Sequence, residues 1–286
     1  MRMTLVALSM AAAAAVPQAV SAQTAAPAAA PPSDHTFTGN VGLFSEYRFR
    51  GISQTFAKPA LQGGFDYSHA SGIYLGNWNS NVSSGAGFPA GNLEMDFYGG
   101  WKKSWGDWGL DVGFIYYYYP GSDANAASGT TLVSPRSAAR TYNGTIDNKE
   151  IYIGGSWKWL SAKYYYSTDD YFSQPGTKGS TYLDLSATYD LGGGWGLVGH
   201  LGSFKLKGWS VGTAATDADY TDWKLGVTKD INGWVFGASY IDTDAKGSCA
   251  PPVGYYCFGN SLPAGGGTKF KDASKGVVVL SVSKTF

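Results

Sequence analysis

The last eleven residues, Gly276–Phe286, read GVVVLSVSKTF. Val278, Leu280 and Val282 share the parity of the terminal Phe286, and the positions between them end in small hydroxyl residues. A period of two predicts a β-strand with one apolar face. Soluble domains rarely end such a strand with an exposed aromatic ring, whereas a membrane barrel would place that ring at the lipid–water boundary. The stretch therefore favours a transmembrane β-barrel.

Composition agrees with this prediction. Charged residues make up only 15% of the chain, below the usual quarter, and the 21 basic and 21 acidic residues balance, so a nucleic-acid partner is not expected. No run of 18 or more apolar residues occurs, which excludes a transmembrane helix. A membrane strand needs no such run, because its lipid-facing and lumen-facing residues alternate.

The N-terminus has the features of an export signal. Arg2 supplies a positive charge, Thr4–Val16 is a short apolar segment, and Val20-Ser21-Ala22 is a small-residue cleavage site. We therefore expect a cleaved signal peptide at residues 1–22. An Ala/Pro-rich disordered leader at 23–35 and a barrel at 36–286 follow it.

Alternating segments separated by turn residues fill the rest of the chain. There are twelve such segments, an even number, as is usual for single-chain bacterial barrels. The twelve predicted strands are Phe37–Arg50, Lys58–His69, Ile73–Val82, Leu93–Lys102, Gly109–Tyr119, Asn148–Trp159, Ala162–Phe172, Thr181–Leu191, Trp195–Phe204, Tyr220–Lys229, Trp234–Thr243 and Gly276–Phe286.

Short and long connections alternate strictly between these segments. The connections after the even segments are a few residues each, and those after the odd segments are longer, the longest being Pro120–Ile146 and Asp244–Ala273. Outer-membrane barrels have short periplasmic turns and long extracellular loops, whereas a soluble sandwich does not sort its loops in this way. We therefore predict an all-β fold, a transmembrane antiparallel up-and-down β-barrel of twelve strands.

Aromatic residues cluster at the predicted ends of the strands. Seven tryptophans flank the short turns and predict an interfacial girdle: Trp101, Trp105, Trp108, Trp157, Trp159, Trp195 and Trp234. The run Tyr116–Tyr119 lies at the opposite end, where an outer girdle is expected; sugar stacking is the alternative for this run.

The polar face of the strands predicts a charged lumen. The residues expected to line it are Glu46, Arg48, Arg50, Asp66, Glu94, Asp96, Lys102, Asp111, Glu150, Lys158, Asp184, His200, Asp222 and Lys224. They either line a water-filled passage or pair across strands and plug the interior; Lys102 opposite Asp111 is one expected ion pair. Twelve strands fall between a filled eight-stranded barrel and an open sixteen-stranded porin, which favours a narrow pore.

Catalytic and metal-binding chemistry is not indicated. A lipid-cleaving site would use a His and a Ser two residues apart, and His69 and Ser71 have this spacing but lie at a predicted short turn. His200 is expected in the lumen near Ser186. Two cysteines in one loop of an exported protein predict a disulfide, Cys249–Cys257, and no further His or Cys nearby completes a metal site. We expect no enzyme activity and no cofactor.

One run carries a family resemblance. EYRFRGISQTFAKPALQGGFDYSHASGIYLGNW (Glu46–Trp78) resembles the TorF family, a group of proteobacterial outer-membrane proteins classed as porins. Further similar pieces are LEMDFYGG (Leu93–Gly100), YYYYPG (Tyr116–Gly121), KYYYSTDDYF (Lys163–Phe172), DYTDWKLGV (Asp219–Val227) and the terminal strand. The resemblance spans the predicted barrel and implies a porin-type fold, but it transfers no substrate or catalytic residue.

Two hypotheses for the function follow. The first is passive diffusion of small polar solutes through a narrow charged lumen. The alternative is a non-conducting structural or surface-recognition barrel, plugged by ion pairs or by the two longest loops. In both, outer-membrane lipid and the barrel assembly machinery, which recognises the C-terminal strand, are the expected partners.

Overall fold

A closed antiparallel barrel of twelve strands forms the molecule, as predicted. The computed structural model describes residues 33–88, 90–124, 144–208, 218–261 and 268–286. The predicted signal peptide and nearly all of the predicted leader lie outside these residues. Among the described residues, no helix has the length and apolar character needed to cross a membrane.

The strands alternate with turns and loops along the whole barrel. In chain order they are β1 (His35–Phe44), β2 (Arg48–Phe49), β3 (Ile52–Ser53), β4 (Ala60–His69), β5 (Ile73–Asn81), β6 (Leu93–Trp105), β7 (Trp108–Tyr118), β8 (Asp147–Trp157), β9 (Leu160–Ser167), β10 (Thr181–Gly192), β11 (Trp195–Lys205), β12 (Tyr220–Ile231), β13 (Trp234–Thr243), β14 (Cys257–Ser261), β15 (Thr268–Asp272) and β16 (Val277–Thr285). β2 with β3, and β14 with β15, form two small hairpins that are not part of the wall, and the wall closes where β1 pairs with β16. Two short 3₁₀ turns, Ser84–Ala86 and Tyr171–Ser173, lie in the loops.

The predicted alternation of connections is confirmed. Two- or three-residue turns follow β4, β6, β8, β10 and β12, and long loops follow the other wall strands. We call the two ends of the barrel the short-turn end and the long-loop end; both described termini lie at the short-turn end. The turn between β12 and β13 shows the local cause, because Asn232 and Gly233 have φ of 54° and 80°. Positive φ at both positions is what a tight two-residue hairpin turn requires.

The outer face of the wall is apolar all the way round. Every wall strand exposes at least two large hydrophobic side chains; Phe65 is 74% exposed and Leu225 69%. The inward-facing neighbours on the same strands are less exposed, and some are fully buried, such as Asp222 at 2%. An exposed apolar surface of this extent is far larger than the patches of soluble monomers, so it needs hydrocarbon around it.

Tryptophans gather at the short-turn end, as predicted. Trp101 and Trp105 have ring centroids 6.4 Å apart, and Trp108 and Trp157 have theirs 6.0 Å apart. Trp101 also donates from Nε1 to the Ser71 carbonyl in the β4–β5 turn, at 3.0 Å. These rings form a cluster on β6 to β8 at this rim.

The first predicted strand is too long. The wall strand ends at Phe44, and the chain then bends inward as the β2–β3 hairpin, where Arg50 and Gly51 have φ of 48° and 80°. Tyr47 and Phe49 alternate with the predicted lumen residues Arg48 and Arg50, so the predicted strand would have them face lipid, but they are 0% and 6% exposed inside the barrel. The alternation continued past the true end of the strand because these side chains pack in a loop that is buried on both faces.

A further prediction about a strand end needs correction. The seventh segment was expected to reach Phe172, but β9 ends at Ser167 and Tyr171–Ser173 forms a buried turn. The Asp170 carboxylate holds this loop by accepting from the backbone N–H groups of Thr177 and Lys178, both at 2.9 Å.

The tyrosine run at the end of β7 is divided between two faces. Tyr116 and Tyr118 stack on the outside with centroids 5.9 Å apart. Tyr117 and Tyr119 are 0% and 1% exposed and pack inside, where Tyr119 stacks on Phe88 at 4.0 Å. The predicted outer girdle is therefore wrong for Tyr117 and Tyr119.

Candidate functional site

The barrel interior has two zones. In the long-loop half, loop residues fill the space and are almost completely buried; Tyr47 is 0% exposed and Tyr255 2%. We call this filling the inner plug and define it as residues 46–56, the turn Tyr171–Ser173 and residues 255–258. In the short-turn half, most inward side chains are polar and many are partly exposed.

A buried ion pair fixes the inner plug to the wall. Arg50, on the β2–β3 hairpin, donates from Nη1 and Nη2 to Oε1 and Oε2 of Glu150 on β8, at 3.1 and 2.6 Å. Both side chains are at most 3% exposed. The guanidinium also lies over the Tyr182 ring, 4.3 Å from the centroid, and over Phe49 at 4.8 Å. Two parallel hydrogen bonds and aromatic faces are the environment that guanidinium suits best.

A second pair stiffens the hairpin itself. Arg48 Nη2 lies 3.1 Å from Glu46 Oε1, and Arg48 Nη1 donates to the backbone carbonyls of Gly51 and Ala273. Ala273 belongs to the loop that leads into β16, and its carbonyl also accepts from the Ser53 amide at 2.9 Å. The first and last long loops are thus joined inside the barrel.

Two more of the predicted residues, Glu94 and Asp96 on β6, lie at the wall beside the plug. Tyr47 Oη donates to Glu94 Oε1 at 3.0 Å. Glu94 and Asp96 are both 0% exposed. The register places Asp96 beside Trp78 on one side and Tyr117 on the other.

The short-turn half holds a network on β4 to β9. Tyr98 Oη donates to Asp66 at 2.6 Å, Tyr74 Oη donates to Asp111 at 2.6 Å, and Lys163 Nζ lies 2.7 Å from Asp111 Oδ2. Lys102 does lie opposite Asp111 in the register, as predicted, but the predicted ion pair is wrong. Lys102 extends over the Tyr74 ring at 5.1 Å, since Lys163 reaches Asp111 from β9.

His200 organises the opposite wall. Its Nε2 lies 2.8 Å from Asp222 Oδ2, and its Nδ1 lies 3.4 Å from Asp184 Oδ2 and 3.3 Å from Ser186 Oγ. The expected proximity of His200 to Ser186 is confirmed, because the β10–β11 hairpin pairs these two residues. Lys224 is the register partner of His200 on β12.

Lys158 stands apart from the other predicted lumen residues. It occupies the turn after β8 with φ of 54°, its side chain is half exposed, and Nζ lies 3.9 Å from Asp107. The other thirteen lie on the interior face of the wall or in the inner plug. That they line a passage for solutes stays a prediction.

Sequence reasoning missed several interior residues. Lys163 is 7% exposed, and Tyr165 beside it on the same face is 3% exposed. Because KYYYS places tyrosine on both faces of β9, the alternation there does not reveal which face is apolar. The neighbouring lysine was the available signal, since a lysine in the middle of a strand of such a barrel faces the interior and not the hydrocarbon.

Two smaller predictions concern the loops and turns. Cys249 and Cys257 form a disulfide with Cα atoms 5.2 Å apart. His69 Nδ1 and Ser71 Oγ lie 2.8 Å apart at the exposed β4–β5 turn, where the Ser71 amide also donates to the same nitrogen. This contact closes the turn.

Comparisons with known proteins place the chain in a family. The family model Gcw_chp, described as a bacterial protein of unknown function, matches residues 28–286. A comparison with curated proteins finds no match. The TorF resemblance stays a prediction.

Similar solved structures include three outer-membrane barrels. "KdgM porin in complex with disordered oligogalacturonate" has 9% identity and a TM-score of 0.46, covering 87% of this chain and 98% of that one. The NanC porin has 9% identity and a TM-score of 0.47, covering 88% and 99%. OprD from Pseudomonas aeruginosa has 10% identity and a TM-score of 0.37, covering 87% and 65%. At these scores nothing about a transported molecule follows.

Proposed function

Because the chain belongs to Gcw_chp, a family of bacterial proteins of unknown function, we propose its function from the barrel itself. It is a porin-like barrel of the bacterial outer membrane that passes small polar solutes slowly through a narrow, charged interior.

The observation that carries this proposal is the contrast between the two faces of the wall. Large apolar side chains are exposed on every wall strand, whereas charged and hydroxyl side chains predominate at the inward positions, with apolar exceptions such as Ile115 and Val198. An apolar outside and a polar inside are what a membrane channel requires. A barrel that served only as a membrane anchor could fill its interior with apolar residues and avoid the cost of burying charge.

The inner plug sets the size of the passage. The polar short-turn half is wide enough to leave side chains partly exposed, and the long-loop half is filled by residues such as Tyr47 and Tyr255. Passage therefore depends on movement of the plug. Conductance is expected to be far below that of an open sixteen-stranded porin.

Planar-bilayer recording of the refolded barrel tests the proposal. Heat-modifiable migration in gels establishes that the sample is folded. Small discrete conductance steps are expected. A silent bilayer with folded protein would instead favour the second candidate.

That second candidate is a non-conducting barrel, and the packing of the inner plug is the observation in its favour. A variant in which residues 46–57 are replaced by a short glycine-rich turn distinguishes the channel from the non-conducting barrel. Phe44 and Ala60 are paired partners, so such a turn can join β1 to β4 without altering the wall. A silent wild type with a conducting variant supports a permanent plug; conductance in both, larger in the variant, supports the channel.

A further inference from the structure

Two buried carboxylates have no partner of opposite charge. The other buried charged groups are paired: Arg48 with Glu46, Arg50 with Glu150, Lys163 with Asp111, and Asp222 with His200. Within the described residues, Glu94 and Asp96 are 0% exposed and no basic group lies within salt-bridge distance of either. Burying an isolated carboxylate costs several kcal/mol, so this part of the interior calls for a further positive group.

Unpaired polar atoms gather at the same level of the wall. Neither oxygen of the Asp96 carboxylate has a hydrogen-bond partner among the described residues, and the same holds for both polar atoms of the Asn148 amide and for Tyr117 Oη. The register puts Asp96 beside Tyr117, and Tyr117 beside Asn148. Native proteins leave few such atoms unsatisfied, and these three residues lie in one row on adjacent strands.

The row has the right span for a shared ligand. Neighbouring strands lie about 4.8 Å apart, which separates the backbones of Asp96 and Asn148 by roughly 10 Å. The side chains of Asp96 and Asn148, which flank Tyr117, can therefore both contact one ion placed between them. Glu94 lies two residues before Asp96 on the same strand and faces the same way.

We propose that Glu94, Asp96 and the Asn148 amide oxygen bind a small divalent cation in the wall beside the inner plug. Two carboxylates balance the charge of one such ion. Carboxylate, amide and water oxygens are ligands that Ca²⁺ accepts, in flexible geometry. The described residues hold no set of three or more His, Cys, Asp or Glu side chains in metal-binding range, so oxygen from amide, phenol and water completes the shell.

The site would also stabilise the inner plug. Tyr47 of the plug donates to Glu94, and its ring packs against Trp78 with centroids 5.4 Å apart. An ion held by Glu94 therefore fixes the acceptor on which Tyr47 depends. The inference goes beyond the proposed function, since it concerns binding and stability whether or not solutes pass.

Calcium binding by the refolded full-length barrel tests the proposal. After removal of divalent ions with a chelator, one Ca²⁺ per chain is expected to bind, measured by elemental analysis of the gel-filtered protein. At Ca²⁺ one hundred times its dissociation constant, the unfolding equilibrium constant should fall about 100-fold in urea titrations. Asp96→Asn should abolish both effects, and Asn148→Leu, which keeps both carboxylates, should weaken binding at least tenfold.

The control is Asp190→Asn, which removes an exposed carboxylate at the short-turn end and should leave binding intact. Stability that is independent of Ca²⁺ in the wild type would overturn the proposal. So would equal binding by the wild type and Asp96→Asn, because the ion would then lie elsewhere. Both readouts are separate from conductance, so a silent bilayer does not decide them.

Discussion

This barrel contains the two kinds of ion pair whose contributions to stability differ most, one inside it and one on its surface. Arg50 and Glu150 are sealed from water, whereas Lys149, next in the chain to Glu150, has a side chain 48% exposed and lies 3.0 Å from Asp169. The hydrogen bond from Lys149 holds the pKa of Asp169 below its ordinary value. Water screens the attraction within such an exposed pair, so the pair contributes little to stability. A buried charge that loses its partner has no such screening and destabilises the fold strongly.

Removing one partner of the buried pair should therefore be costly. Arg50→Met is expected to lower the free energy of unfolding by about 3–5 kcal/mol, because it leaves the Glu150 carboxylate buried and unpaired. Lys149→Met on the surface should cost about 0–1 kcal/mol. Urea titration of the refolded barrel measures both.

The double variant Arg50→Met with Glu150→Leu separates the charge from the packing. It should recover much of the loss, since no isolated charge remains. A double variant as unstable as Arg50→Met would mean that the guanidinium contributes through its ring contacts with Tyr182 and Phe49 instead.

At the scale of the strands, close packing inside the wall depends on glycine facing tyrosine. A Cβ atom on Gly76 would lie 2.2 Å from the Tyr98 ring, and Tyr98 is the donor to Asp66. By contrast, a Cβ on Gly155 would meet nothing nearer than 3.8 Å. The inward tyrosines therefore lie flat across neighbouring glycines, which is how large rings fit the concave face of the barrel.

Gly76→Ala is accordingly expected to destabilise the barrel by about 1–3 kcal/mol, as overpacking does. Gly155→Ala is the matched control and should change stability by less than about 0.5 kcal/mol. Equal effects at the two positions in urea titrations would show that backbone freedom, and not the Tyr98 ring, determines the response.

The strands were more predictable than the loops, for a physical reason. A wall strand has hydrocarbon on one face and water or other side chains on the other, so apolar and polar residues alternate along it. The predicted bounds of one such strand, Trp234–Thr243, agree with the structure at both ends. The β2–β3 hairpin is buried on both faces, so Tyr47 and Arg48 gave a strand-like pattern with no outer face. The Arg50–Glu150 pair joins residues one hundred positions apart, and no local pattern predicts such a contact.

For the whole molecule, the decisive feature is a belt of exposed hydrophobic side chains around a closed wall. Leu185 and Leu191 both face outward from β10, 41% and 53% exposed. Leu185 lies near the middle of the strand and Leu191 beside the β10–β11 turn. Six residues of a strand tilted by about 40° separate them by roughly 15 Å along the membrane normal.

Arginine substitutions at Leu185 and Leu191 test where along the membrane normal the wall contacts hydrocarbon. Leu185→Arg should lower the free energy of unfolding by about 2–4 kcal/mol and Leu191→Arg by about 0–1 kcal/mol, because the cost of a charge on the lipid face falls from the midplane to the interface. Unfolding titrations in phospholipid vesicles measure the difference. If water surrounded the wall, both substitutions would fall within about 0.5 kcal/mol of the wild type, since each would only add a solvated surface charge. Equal, small effects at the two sites would therefore contradict a membrane-embedded barrel, and the proposed passage of solutes across a membrane would fall with it.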